Sequence, residues 1–185
     1  MDVLKTGSGK DIGLKVRTKI PEIIAYIGML ASTDVVHLRS PGADGTVLAA
    51  AFNGAQIDYP RNVIITSGTV TGTVTINGID QYGDTVQEIL TITSGGTTTG
   101  AQAFAFITSI VYDVATGTGN ISTQMGSKVG LPVDLSYTGL KSVSKSSGVT
   151  AFVAALGSGY TVSEAYDTVQ LTTILAAESY IFVVA

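Results

Sequence analysis

The stretch from Val63 to Thr93 constrains the fold more than any other part of the chain. Val70, Val74 and Ile76 fall on one side of an alternating pattern, and Thr69, Thr71, Thr73 and Thr75 fall on the other. A repeat of two with β-branched residues at nearly every place is the signature of a half-buried strand. Successive side chains there point to opposite faces, and branched Cβ atoms pack well on a pleated surface. Two turns compete to end this strand. Asn77-Gly78 is the stronger hairpin dipeptide, but it leaves only Ile79 to Tyr82 to return. The turn Asp80-Gln81-Tyr82-Gly83-Asp84 leaves Thr85 to Thr93 as a full-length partner. The longer turn is therefore preferred, with Gly78 as a bulge that flips the phase and points Ile79 inward.

Other segments read the same way. Phe104, Phe106, Ile110 and Tyr112 alternate within Ala103 to Val114, and a Gly117-Thr118-Gly119-Asn120 turn precedes Ile121 to Met125. Val149 to Leu156, Thr161 to Val169 and Tyr180 to Val184 are the remaining strand candidates. About eight to ten short strands with glycine-rich turns predict an all-β fold. The expected form is an antiparallel β sandwich or barrel, jelly-roll-like or Ig-like, with at most one or two short helices. No repeat of fixed period is present, which argues against a solenoid or propeller. Ile23, Ile24, Ile27 and Leu30 fit one face of a short helix, with Pro21 in its first turn. Gly28 and the isoleucines fit an extended strand equally well. The predicted organisation is an arm over residues 1–22 and a single β domain over 23–185.

Composition narrows the function classes. Charged residues make up 13% of the 185, against about 25% in ordinary globular domains. Glycine, threonine and serine take their place, within a hydrophobic fraction of 45% that excludes a disordered chain. With no cysteine, neither a disulfide scaffold nor a thiolate metal site can form. A net charge of −4 argues against general nucleic-acid binding, which needs a basic face. The longest apolar run, Ile20 to Ala31, contains Pro21 and Glu22 and falls short of the roughly 20 residues a membrane span needs. Met1 to Lys5 offers no basic stretch followed by an apolar one, so no secretory signal is expected.

Catalytic chemistry finds little to work with. A Ser-His-Asp arrangement would have to run through His37, the single imidazole, and no serine sits in a Gly-x-Ser-x-Gly elbow. Ser142-Val143-Ser144-Lys145 matches Ser-x-x-Lys without its companion elements, in a serine-rich stretch where chance explains it. Gly7-Ser8-Gly9-Lys10 fails as a phosphate loop, because Asp11 follows the lysine and Leu4 stands where the first glycine is required. Asn120-Ile121-Ser122 is a formal glycosylation sequon without a secretory context. Asp80, Asp84 and Glu88 lack the calcium-loop spacing, and a hairpin turn dressed with solubilising acids accounts for them better. The expectation is a protein that is not an enzyme, with no catalytic, cofactor-binding or metal-binding residues and no cofactor.

Assembly is the better explanation of the surface. Isolated sheets protect their edges with charge and proline, yet between Asn62 and Lys128 there is no lysine or arginine, and the only acids are Asp80, Asp84, Glu88 and Asp113. Such strands would be an aggregation liability if exposed, so coverage by further copies is expected, as a homo-oligomer. Five of the ten basic residues, Lys5, Lys10, Lys15, Arg17 and Lys19, crowd into the arm. They read as a solvated terminus or as assembly contacts on an acidic neighbour.

The runs Pro60-Arg61-Asn62-Val63, Thr71 to Gly78 and Asp80 to Glu88, with Phe106 to Ile110, Gly117-Thr118-Gly119 and Gly130-Leu131-Pro132-Val133, resemble a pattern in structural proteins of tailed phages and related prokaryotic viruses. The resemblance covers roughly Tyr59 to Asp134. It implies a non-enzymatic virion protein, first a capsid decoration or cement protein contacting other virion proteins such as the major capsid protein, and second a tail-tube or other tail structural subunit. A reading of another class is a surface carbohydrate-binding or adhesive module. The absence of tryptophan counts against that module, because sugar rings are usually met by aromatic platforms.

Overall fold

The computed structural model describes residues 22–40, 45–114, 117–135, 139–147, 153–155, 160–171 and 174–185. The arm cations Lys5, Lys10, Lys15, Arg17 and Lys19 and the Gly7-to-Lys10 stretch lie outside them. In chain order the strands are β1 (Glu22–Met29), β2 (Val35–Arg39), β3 (Gly45–Leu48), β4 (Arg61–Ser67), β5 (Gly72–Ile79), β6 (Thr85–Ile92) and β7 (Thr97–Thr99). They continue with β8 (Phe106–Val114), β9 (Ile121–Gly130), β10 (Leu140–Ser147), β11 (Val153–Ala155), β12 (Tyr160–Ser163), β13 (Thr168–Leu171) and β14 (Glu178–Val184). Ala49–Ala51 form a single 3-10 turn. The protein is all-β, and the strand ladders are antiparallel.

Three sheets carry the fold. The central one runs β12-β13-β9-β4-β7, with β2 also paired to β9. A second runs β3-β8-β5-β6 and a third β1-β14-β10-β11. Two apolar clusters lie between them. Ile65, Val63, Ile121 and Met125 of the central sheet meet Val74, Ile76, Ile107, Ile110 and Leu90 of the second. Val129, Val169 and Leu171 meet Tyr26, Val143, Tyr180, Phe182 and Val184 of the third. Strand β9 therefore contributes to both clusters, through Ile121 and Met125 at one end and Val129 at the other.

The hairpin over 72–92 has the predicted register, Gly72↔Ile92 through Ile79↔Thr85, with the Asp80–Asp84 turn at its tip. The irregularity at Gly78 also occurs, as a register shift between Asn77 and Gly78 against β8. Its consequence differs from the expectation. Gly78 itself takes the buried position and Ile79 stays half-exposed. A Cβ at Gly78 would stand 2.4 Å from the Phe106 carbonyl oxygen and 2.7 Å from the Phe104 ring. The glycine thus lets β8 approach closely and does not flip the phase.

Residues 22–29 form a strand, which resolves the helix-or-strand ambiguity. Register partners Tyr26↔Tyr180 and Ile24↔Phe182 bury one face, and Gly28 at a φ of 65° sits in the irregular end of the ladder. Two strand assignments change. Thr161 to Val169 is a hairpin of β12 and β13, whose turn closes on Asp167 at a φ of 48°. An aspartate tolerates that left-handed conformation, so no glycine marks the turn. Strand β10, Leu-Lys-Ser-Val-Ser-Lys-Ser-Ser, was hidden by its polarity, because only Val143 and Leu140 are large and apolar.

Candidate functional site

The densest polar constellation joins the start of β4 to the end of β1. Arg61 is fully buried, and its guanidinium donates twice to the Leu30 carbonyl oxygen, at 3.1 and 3.0 Å, and once to Asp58 Oδ1. Asp58 accepts in addition from the Leu30 and Tyr59 amides, at 2.6 and 2.9 Å. Burial draws the Arg61 guanidinium below its ordinary range, while Asp58 opposes that shift. Tyr59 stacks on Tyr26 at 4.7 Å, and its hydroxyl donates to the Ile27 carbonyl oxygen and accepts from the Ile27 amide. Tyr26 donates to the Gly130 carbonyl oxygen at 2.7 Å. Apart from the Arg61–Asp58 pair, these hydrogen bonds run to backbone groups, which is the chemistry of a strap between strands.

A second ion pair lies in the third sheet. Lys145 Nζ stands 2.6 Å from Glu178 Oε1, and Glu178 Oε2 accepts from the Tyr180 hydroxyl and the Leu175 amide. Burial opposes the charge on Glu178, but the hydrogen bonds from Lys145, Leu175 and Tyr180 outweigh it and hold the carboxyl below its usual range. Ser142 and Lys145 pair with Val183 and Tyr180, whose side chains occupy opposite faces, so the Ser-x-x-Lys spacing brings no hydroxyl to the amine.

His37 packs among the rings of Phe52 and Tyr112, at 5.8 and 6.3 Å between centroids. Burial lowers its pKa, and the charge acting on it is the cation of Arg39, which lowers it further. Asp80 Oδ1 accepts from the amides of Tyr82 and Asp84, closing the hairpin turn locally. Glu88 Oε1 accepts instead from the amides of Ala101 and Gln102. The Asp80 and Glu88 carboxylates therefore serve two separate backbone turns. Asn120 of the sequon is exposed at the turn before β9.

The surface holds two further features. Tyr82 and Tyr166 are both exposed, and they lie at neighbouring turns because Gln81 Nε2 donates to the Tyr166 carbonyl oxygen and Tyr82 donates to Asp167. Burial, the bond to Asp167 and the charges of Asp167, Asp134 and Asp80 all hold the Tyr82 hydroxyl above its ordinary range. The outward face of the second sheet aligns Thr73 with Thr91, Thr75 with Ile89 and Val111, and Asn77 with Gln87 and Ser109. Ile89 there is 61% exposed, and Leu48 at the sheet's other side is 63% exposed.

The two ion pairs were not anticipated from sequence. Asp58 and Arg61 sit three apart around Pro60, a faint signal, whereas Lys145 and Glu178 meet only through strand pairing. Comparison with family models, with curated proteins and with solved structures gives no match.

Proposed function

We propose that the chain is a non-enzymatic structural subunit of a virion, in the first place a capsid decoration or cement protein that binds other copies of itself and the shell. The observation that carries this reading is the character of the exposed strands. Ile23, Ile27, Leu48 and Ile89 are large apolar residues left open on strands that carry little charge, and natural sheets that stay monomeric avoid such surfaces. The polar constellations support a structural role, since the two terminal nitrogens of Arg61 and the Glu178 carboxylate are taken up by backbone and by neighbouring side chains, although Arg61 Nε has no partner among the described residues. A tail-tube subunit is the alternative within the same class, and would cover the same faces by stacking rings.

The test is the composition and architecture of purified particles. Stoichiometric copies on the outer shell support decoration, copies in a tube wall support the tail reading, and absence from the particle rejects both. The adhesive reading is favoured by one feature, the exposed Tyr82 and Tyr166 on neighbouring turns beside Gln81 and Asp167. Binding on a glycan array that is lost in Tyr82→Ala and Tyr166→Ala would establish it in place of the virion role.

A further inference from the structure

The outward face of the third sheet is apolar and lacks a cover among the described residues. Ile23 pairs with Val183 and Ala25 with Ile181, so these four side chains share the face opposite the buried Tyr26, Tyr180 and Phe182. Ile23 is 67% exposed and Ile27 47%, while Ile181 and Val183 are half-buried. The next strand adds Ser142 and Ser144 in register, so no charged residue stands in these rows. Strand β1 is also the edge of its sheet. At Ile27 the outward-facing amide and carbonyl are taken by the Tyr59 hydroxyl, which leaves the edge at Ile23 and Ala25 open among the described residues.

The segment running into this strand has the complementary pattern. From Asp11 to Ile20 the even positions are Ile12, Leu14, Val16, Thr18 and Ile20, and the odd ones Asp11, Gly13, Lys15, Arg17 and Lys19. That alternation is the sequence pattern of an amphipathic strand, with one apolar and one cationic side. Between Gly13 and Gly28 the sequence offers no Gly, Asn, Asp or Ser with which to reverse direction tightly, and Pro21 biases Ile20 toward an extended backbone. A chain entering β1 without such a reversal would lead away from the face of its own sheet, spanning up to about 3.3 Å per residue.

We infer that residues 11–20 of a second copy cover the β1–β14–β10 face, with Ile12, Leu14 and Val16 against Ile23, Ile27, Ile181 and Val183, and with Lys15, Arg17 and Lys19 turned outward. The inference rests on the reading of the chain as an assembly subunit and names the surface through which copies join. It assigns the cations of the arm to the outside of that joint, where they remain available to an acidic neighbour.

The absence of cysteine makes a cross-linking test clean. Full-length chains carrying Cys at Ile12, Leu14 or Val16 are mixed with differently tagged full-length chains carrying Ile27→Cys, and oxidised mildly. Mixed-tag disulfide dimers from at least one arm position are expected, and they are lost when Ile23→Asp is added to the acceptor chain. Thr75→Cys, on the second sheet, serves as the acceptor control and gives no link. A chain with both Val16→Cys and Ile27→Cys that closes on itself as a monomer overturns the inference in favour of the chain's own arm. No link from any arm position also overturns it. Absence of the protein from virus particles would reject the virion role while leaving a mixed-tag dimer standing, so the two failures are distinct.

Discussion

Arg61 shows how a single buried charge is made tolerable. Its guanidinium is out of contact with solvent, yet Asp58 and the Leu30 carbonyl oxygen satisfy it on one side. Removing one member of such a pair leaves the other desolvated without compensation, which costs about 3–5 kcal/mol when burial is complete. Asp58 keeps 16% of its side-chain exposure, so Asp58→Ala is expected to cost about 3 kcal/mol in denaturant unfolding. The double variant Asp58→Ala/Arg61→Met should recover part of that loss. Glu178 gives a pH signature with a definite sign. Its folded-state pKa lies below the ordinary 4.5, so its contribution is fully present above about 4.5 and is lost as pH falls through the folded value. Unfolding midpoints measured from pH 6 down to about 3 should therefore fall more steeply for the wild type than for Glu178→Gln. His37 acts in a neighbouring window. Its pKa is lowered by burial and by Arg39, so the stability it confers is whole above about 6.5 and declines as pH falls below that. His37→Gln is expected to flatten that part of the profile.

At the scale of elements, the hairpin of β5 and β6 and its contact with β8 decide the second sheet. The alternation of threonine with valine and isoleucine sets which face is buried, and the Asp80 carboxylate closes the turn through the amides of Tyr82 and Asp84. Gly78 is the point where this order depends on a missing side chain. An added methyl would press on the Phe106 backbone, which cannot swing aside as a flexible side-chain tip could. Gly78→Ala is expected to destabilise by about 2–3 kcal/mol, near the upper end for overpacking. Thr75→Ala on the outward face should change stability by only about 0.5 kcal/mol. Equal losses from the two substitutions in chemical denaturation would contradict the close approach. The third sheet works differently. Its strand β10 is held by pairing with β14 and by the Lys145–Glu178 contact more than by its own apolar content.

For the whole molecule, the distribution of charge matters more than its sum. The arm through Lys19 carries five basic residues and two acids, a net of 5 − 2 = +3, so the remainder of a chain with net −4 carries −4 − 3 = −7. Arm and body are thus complementary in charge, which favours attraction between copies. Deleting Met1 to Lys19 is expected to leave the β circular-dichroism spectrum in place and to reduce association in sedimentation experiments. The full-length association should also weaken with salt, because exposed charges are screened over about 8 Å at physiological ionic strength. Loss of the fold on deletion would make the segment a strand of the core. Unchanged association would make it a bystander.

The period of two fixed the all-β class and the 72–92 hairpin without tertiary information, since a half-buried strand and its turn are local properties of alternation and turn chemistry. The nature of 22–29 was not local. Its isoleucines suit a helix or a strand until β14 offers a ladder. The polarity of β10 and the Asp167 turn likewise concealed elements that pairing partners created. The candidate surfaces divide in the same way. The scarcity of charge on the strands was legible as composition, whereas which apolar side chains stay exposed depends on which face each sheet turns toward its neighbour. Lys145 and Glu178, distant in sequence, became an ion pair only when β10 and β14 were placed side by side. Alternation is written residue by residue, but partners are chosen by the packing of the whole chain.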